Sequence, residues 1–410
     1  MNEAVCAGVD WAKDAHEVLV ADPDGERLWG ETVAHDEAGI VRLCRTLVTL
    51  GVARVAVERP DGLLIERLLD AGLTVLAIHP NMVAAARDRF RAAGGKSDRF
   101  DAFVLCELAR TDSHRFRALS PDSDQTKALR ALTRGREVLV EQRVALCNQL
   151  RAELERFWPA ATQLFRDLDS PISLAFLARY PSPVDARGLG EKRFAQFLAR
   201  HHYSGRKTAD ELLTRLRAAP VGRAAELEAE ARRGLVLALV AALKPIVEQI
   251  RLLTAEIGHA LHTHPDGKIF ASFFKSPDSV ICAATLLAEI GDDRARYPTA
   301  EHLAADAGMS PVAVESGRKK VACFRRGCDH RLRDATSTLA DATRKWHPWA
   351  ADHYTRARSR GQDHPRAIRT VGRAWTRVLW RCWQDGLTYD PARHHGLQKH
   401  AEILIPTLRG

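Results

Sequence analysis

Asp98 and Asp101, in the stretch Lys96-Ser97-Asp98-Arg99-Phe100-Asp101-Ala102, are acids whose spacing suggests chemistry. Ser97 has the small hydroxyl side chain favoured before a helix start, and Phe100, Phe103, Val104, Glu107 and Leu108 then recur at helical spacing. Both acids therefore sit one turn apart on one helix face. Two carboxylates held that close repel unless positive charge lies between them, and a divalent cation with its preference for oxygen ligands is the usual solution. Taken alone, the pair reads first as a solvated first turn that the helix dipole favours, and only further carboxylates brought to it make the metal reading informative. Ser316 is the second candidate, because it stands beside Gly317 and the cations Arg318, Lys319 and Lys320. Neighbouring cations could steady both an attacked phosphate and a serine oxygen, although serine-glycine before a basic run is also an ordinary turn. Ser310 is the fallback nucleophile.

The elements that must position these residues follow from periodicity. Ala4 to Asp10, His16 to Ala21 and Arg27 to Val33 read as three strands in an antiparallel meander, with Asp22-Pro23-Asp24-Gly25 as a turn. Glu37 to Leu50 is helical, Ala53 to Val57 a short buried strand, Gly62 to Ala71 helical and Leu73 to Ile78 a strand. The order βββαβαβα, closed by the Asp98/Asp101 helix, is that of RNase H-like folds, whose fourth strand lies parallel to and beside the first. Asp10 and Glu58 then emerge together at the C-terminal strand edge, where open α/β sheets place ligands. Each acid alone would serve as a strand-end turn residue. Four of them at one edge, Asp10, Glu58, Asp98 and Asp101, predict one or two Mg²⁺ ions.

Three segments carry a family resemblance. Gly8-Val9-Asp10-Trp11-Ala12-Lys13, Val57-Glu58-Arg59-Pro60-Asp61-Gly62 and Lys96-Ser97-Asp98-Arg99-Phe100-Asp101-Ala102 resemble the motifs of the DEDD transposases, bacterial insertion-sequence recombinases with a RuvC-like N-terminal domain. The resemblance implies a metal-binding tetrad of Asp10, Glu58, Asp98 and Asp101, with Lys13 and Lys96 as phosphate contacts. Ala283 to Asp292, Ala307-Gly308-Met309-Ser310-Pro311 and Ser316-Gly317 look like the second, C-terminal domain of the same family, whose catalytic serine would be Ser316. Two departures stand out: Lys275-Ser276-Pro277-Asp278-Ser279 replaces a glycine-rich turn, and Glu315-Ser316 replaces the serine pair of many members. Implied partners are DNA and a structured guide RNA; strand transfer is the implied activity. A hydrolytic RuvC-like nuclease and a non-catalytic RNA-binding regulator are the alternatives.

The remaining features bound these readings. In 410 residues, 61 Lys and Arg exceed 52 Asp and Glu to give +9, mostly as arginine, which favours phosphate partners and so nucleic acid. Eight scattered cysteines and no long apolar run predict a cytoplasmic, nucleoid-associated protein with reduced thiols and no membrane partner. Gln125 to Trp158 reads as a long helix with Leu132, Leu139 and Leu146 seven apart, and with Arg136 and Arg143 interrupting the seam. Leu243, Ile246, Ile250, Leu253 and Ile257 form a second stripe, an antiparallel partner within the chain or a contact with another protomer; a homo-oligomer, dimer or tetramer, is expected. Arg325 and Arg326 join Arg318, Lys319 and Lys320 as expected nucleic-acid contacts, followed by more C-terminal arginines among tryptophans assigned to packing. The predicted organisation is an α/β RNase H-like (RuvC-like) domain over 1–118, a helical coiled-coil region with a basic insertion over 119–264, a mostly α C-terminal domain over 265–392 and a tail over 393–410.

Overall fold

Period-two burial sets the first sheet. In β1 (Cys6–Trp11) Ala7 and Val9 belong to one core and Cys6 to another, so Gly8 and Asp10 share the face of Cys6. β2 (Ala15–Ala21) pairs antiparallel with β1, and β3 (Arg27–Ala34) antiparallel with β2. Asp36 caps α1 (Glu37–Thr49) by accepting from the Gly39 backbone N–H, and β4 (Arg54–Val57) then runs parallel to β1. After α2 (Leu63–Asp70) comes β5 (Thr74–Ala77), parallel to β4, which gives the order β3-β2-β1-β4-β5 expected for an RNase H-like sheet. Helices α1 and α2 contribute to the core on one face. The other face is covered by α3 (Pro80–Phe90) and α4 (Asp98–Thr111). The sequence reading did not separate α3 as an element.

The protein was analysed as a computed structural model that describes residues 4–58, 60, 62–90, 97–220, 222, 224–276, 279–316 and 319–393; the side chains of Ser316, Lys319 and Lys320 lie outside the description. The chain divides into two units, Met1–Asp122 and Ser123–Gly410. In the first, Gly8 lets α4 lie directly on β1: a Cβ there would stand 2.1 Å from the Ala102 carbonyl oxygen and 2.3 Å from the Cys106 nitrogen. His16, fully buried beside this sheet end, has Nε2 2.7 Å from Nδ1 of His35. Burial, then repulsion from His35, pushes its pKa from 6.5 down to about 4.

The second unit is largely helical. Ser123 caps α5 (Asp124–Phe157), and α6 (Pro159–Thr162), α7 (Pro171–Arg179), α8 (Pro183–Ala186), α9 (Glu191–Arg200) and α10 (Ala209–Ala218) follow as short helices. Then comes α11 (Glu226–Thr263), antiparallel to α5: Arg136 Nε donates to Thr254 Oγ1 at 2.8 Å, and Arg232 pairs with Glu153 at 2.5 Å. The two stripes thus meet within one chain. Leu132, Leu139 and Leu146 are only half-buried, whereas Leu129, Leu150 and Phe157 are fully buried, because each end of the helix pair enters a separate core. Tyr180 is buried in one of these cores against Phe176. The other is built around α12 (Gly267–Ala271), α13 (Val280–Ile290), α14 (Ala300–Asp306), α15 (His330–Thr343), α16 (Pro348–Ser359) and α17 (His364–Asp385), with the exposed hairpin β6 (Val312–Ser316) and β7 (Lys319–Cys323) between α14 and α15 in the chain. Here Trp375 is buried and donates from Nε1 to Thr343 Oγ1, so this tryptophan packs as expected. No described helix is long and apolar enough to cross a membrane.

Two stability tests follow from the first unit. Gly8→Ala must force backbone against backbone, so it should cost about 3 kcal/mol or more, read as a large fall in the unit's melting temperature; an unchanged melt would refute the close approach. For His16 the folded pKa lies below the unfolded one, so its contribution is complete above about pH 6.5 and is lost as pH falls toward about 4. Melting temperature should decline across that window and decline less in His16→Gln; parallel pH profiles for the two proteins would show that His16 titrates normally.

Candidate active site

The parallel register Val9↔Val57 brings Asp10 and Glu58, the next residues along, side by side at the C-terminal ends of β1 and β4. By the same alternation both share the face that α4 covers, since Ala56 belongs to the core on the α4 side and Val57 to the opposite one. Ser97 Oγ accepts the Phe100 N–H at 3.2 Å and starts α4, as its sequence suggests. Asp101 immediately precedes Ala102, whose carbonyl abuts Gly8, and is buried with 2% of its surface exposed. Asp98 is exposed at the first position of the helix. Of the four acids expected to converge, Asp101 and Glu58 meet at Arg87, Asp10 ends the strand beside Glu58, and Asp98 stands one turn away in solvent.

Arg87 comes from α3. Its Nε donates to Asp101 Oδ1 at 2.6 Å and its Nη2 to Asp101 Oδ2 at 2.8 Å, a bidentate pair, and Nη2 lies 3.9 Å from Glu58 Oε1. The Asp101 hydrogen bonds push the arginine pKa upward; desolvation opposes this, and attraction from Asp101, Glu58 and Asp10 reinforces it. The donors are hard carboxylate oxygens and suit a divalent cation. Among the described residues no group of three acidic, histidine or cysteine side chains is gathered closely enough to hold an ion as it stands. A guanidinium lodged between Asp101 and Glu58 is the physical reason. Sequence reasoning missed Arg87, although the repulsion among the acids called for a cation.

In the second unit Ser316 ends β6 and pairs with Lys319 across the hairpin, while Glu315 pairs with Lys320. Gly317 and Arg318 lie outside the described residues, as does Lys96 in the first unit. Lys13 is exposed in the β1–β2 turn, and Arg326 is exposed beyond β7. Arg325 is half-buried, with Nε donating to the Ser310 carbonyl at 3.1 Å. Ser310, the fallback nucleophile, has its Oγ buried with no hydrogen-bond partner among the described residues. Cys323 is exposed and Cys328 half-buried, both free thiols.

Comparison with known proteins adds the family. Residues 7–159 match the DEDD transposase family of the IS110 type, and residues 279–355 match the "Transposase IS116/IS110/IS902 family". Asp10, Glu58, Asp98 and Asp101 fall in the first segment and Ser316 in the second. The chain is 32% identical over 403 residues to the "Mini-circle putative transposase for IS117" of Streptomyces coelicolor, covering 95% of this chain and 96% of that protein. It is 30% identical over 406 residues to the "Insertion element IS900 uncharacterized 42 kDa protein" of Mycobacterium paratuberculosis, covering 96% and 98%. Among solved structures, T. thermophilus RuvC in complex with Holliday junction substrate aligns with 28% of this chain and 99% of that chain, at 17% identity and a TM-score of 0.23. Full-length likeness and both matched segments agree: the chain belongs to the IS116/IS110/IS902 family of transposases, enzymes that cut and join DNA.

Proposed function

We propose that this transposase exchanges DNA strands through two chemistries, a Mg²⁺-dependent carboxylate site of Asp10, Glu58, Asp98 and Asp101 and a nucleophilic serine, Ser316, with a structured RNA from the element selecting the DNA and a homo-oligomer holding the segments. The observation that carries the reading is the Arg87 guanidinium set between Asp101 and Glu58 at the C-terminal edge of the sheet, with Asp10 at the adjoining strand end. One or two divalent cations at those oxygens would supply Lewis acidity toward phosphate oxygens. Asp101 is held by α4 against Gly8 and Glu58 by β4, so neither needs refolding to ligate; Arg87 must withdraw. Asp98 completes the set from the exposed end of the same helix. At Ser316, Oγ attacks a DNA phosphorus, the P–O bond to the departing strand breaks, and the serine proton ends on that strand's hydroxyl. Attack by a hydroxyl of another strand reverses the bond change and frees the serine.

A first test uses the metal-free protein. Removing Arg87 leaves a buried carboxylate without its counter-charge, so Arg87→Gln should melt several degrees lower than wild type without metal and recover with Mn²⁺. Its Mn²⁺ affinity, read by titration calorimetry without nucleic acid, should rise on the order of tenfold, since the cation no longer competes with a guanidinium. Asp101→Asn should bind Mn²⁺ more weakly; an Arg87→Gln protein that binds it no tighter than wild type removes Arg87 as competitor.

The second test separates the chemistries on DNA carrying the element's junction. Wild type should leave a denaturation-resistant protein–DNA adduct, absent from Ser316→Ala and from Asp10→Ala. Metal-dependent cleavage by Ser316→Ala with no adduct in either protein would instead make the chain a hydrolytic nuclease.

A further inference from the structure

In the second unit a cavity of about 460 Å³ opens between α17 and the root of the β6–β7 hairpin. Arg366, Arg369, Arg373 and Arg377 recur every three or four residues and so share one face of α17, and Arg325 enters from the hairpin side; all five line the cavity. No carboxylate lines it among the described residues. Elsewhere in this unit arginines are matched, Arg134 with Glu289, Arg294 with Asp266 and Arg381 with Asp385. Within the row only Arg377 has an acidic partner among the described residues, Glu301 at 3.2 Å. Arg373 Nε is buried without a hydrogen-bond partner, and Arg325 is held in place by its bond to the Ser310 carbonyl. Phe324, 44% exposed, shares the wall, with the Arg369 guanidinium 4.8 Å from its ring centroid.

Like charges at this spacing weaken a helix, and a buried Nε without a partner adds to the cost, so the arrangement is incomplete without an anion. Guanidinium groups accept phosphate oxygens in bidentate pairs, and an exposed aromatic beside them offers a stacking face. We infer that this cavity binds the phosphodiester backbone of an unpaired nucleic-acid strand, with the arginines on phosphates and Phe324 against a base. A concave site of this size encloses a nucleotide, whereas a duplex backbone is tracked by an open basic face. The cavity also touches Pro311, Ala322 and Cys323 at the foot of the hairpin whose β6 ends in Ser316, so a strand anchored here runs beside that hairpin. The inference rests on the reading of the chain as a strand-exchanging enzyme; DNA and RNA present the same chemistry.

The test measures binding alone, so failure of the carboxylate or serine assignment leaves it unaffected. Anisotropy of short labelled single strands, one DNA and one RNA, and of a duplex is followed against salt for the full chain carrying Arg366→Gln, Arg369→Gln, Arg373→Gln or the last two together. Each single change should weaken single-strand binding on the order of tenfold and reduce the slope of log affinity against log salt by about 0.7 per lost contact. Arg381→Gln, on the same helix but ion-paired and 71% exposed, should change neither. Loss confined to DNA or to RNA identifies the strand. Melting temperature without nucleic acid should hold or rise as repulsion is relieved; should Arg373→Gln melt lower, the exposed Arg366→Gln decides, and wild-type affinity there overturns the site. Wild-type affinity and slope in the double variant on both strands, or a loss seen only with duplex, overturns it as well.

Discussion

Carboxylates gathered at one sheet edge repel, and the first unit is organised by how that repulsion is met. The parallel pairing of β1 with β4 commits Asp10 and Glu58 to adjacent strand ends, and α4 brings Asp101 to the same face. An unpaired carboxylate as buried as Asp101 would destabilise its surroundings; the bidentate bond to Arg87 supplies its counter-charge. Any divalent ion must therefore compete with an internal cation. Within the protein itself, Asp101 is matched by Arg87.

That pairing depends on a close contact made of backbone alone. Gly8 carries no Cβ, so the carbonyl of Ala102 and the amide of Cys106 approach β1 more closely than any side chain would allow. Asp101 precedes Ala102 by one residue, so its position is set by the helix axis and not by a flexible side chain. Asp98, one turn further out, is exposed and free of that constraint. The two acids of one motif thus differ in setting: Asp101 is buried and paired with Arg87, Asp98 is exposed.

The sheet was legible because its strands are short, alternate cleanly and follow one another in a known order; Asp10 and Glu58 could be placed from register alone. Arg87 was not, because α3 has a weak apolar pattern with Val83 its only buried residue. Its arginine gains meaning only once Asp101, fourteen residues on, is known to be buried beside it. The long helices were legible as helices, but the leucines at heptad spacing misled: a stripe of seven reports one continuous seam, whereas α5 and α11 enter a separate core at each end and leave Leu132, Leu139 and Leu146 half-covered between. The basic cavity was invisible for a different reason. Arginines at helical spacing look alike whether acids from distant segments neutralise them or not.

Net charge therefore says less than the distribution of pairing. Arg87, Arg134 and Arg294 each lie against a carboxylate that is itself buried, where they stabilise the fold and are unavailable to a ligand. Arg366, Arg369 and Arg373 have no acidic partner among the described residues and face a cavity without acids. The excess of +9 counts both kinds equally. A paired guanidinium must break a charge-assisted bond before it can meet a phosphate, whereas an unpaired one loses only water, so at equal exposure the unpaired row gains more from each phosphate it meets. On this reading, phosphate affinity in this chain depends on where the acids are missing and not on the number of arginines alone.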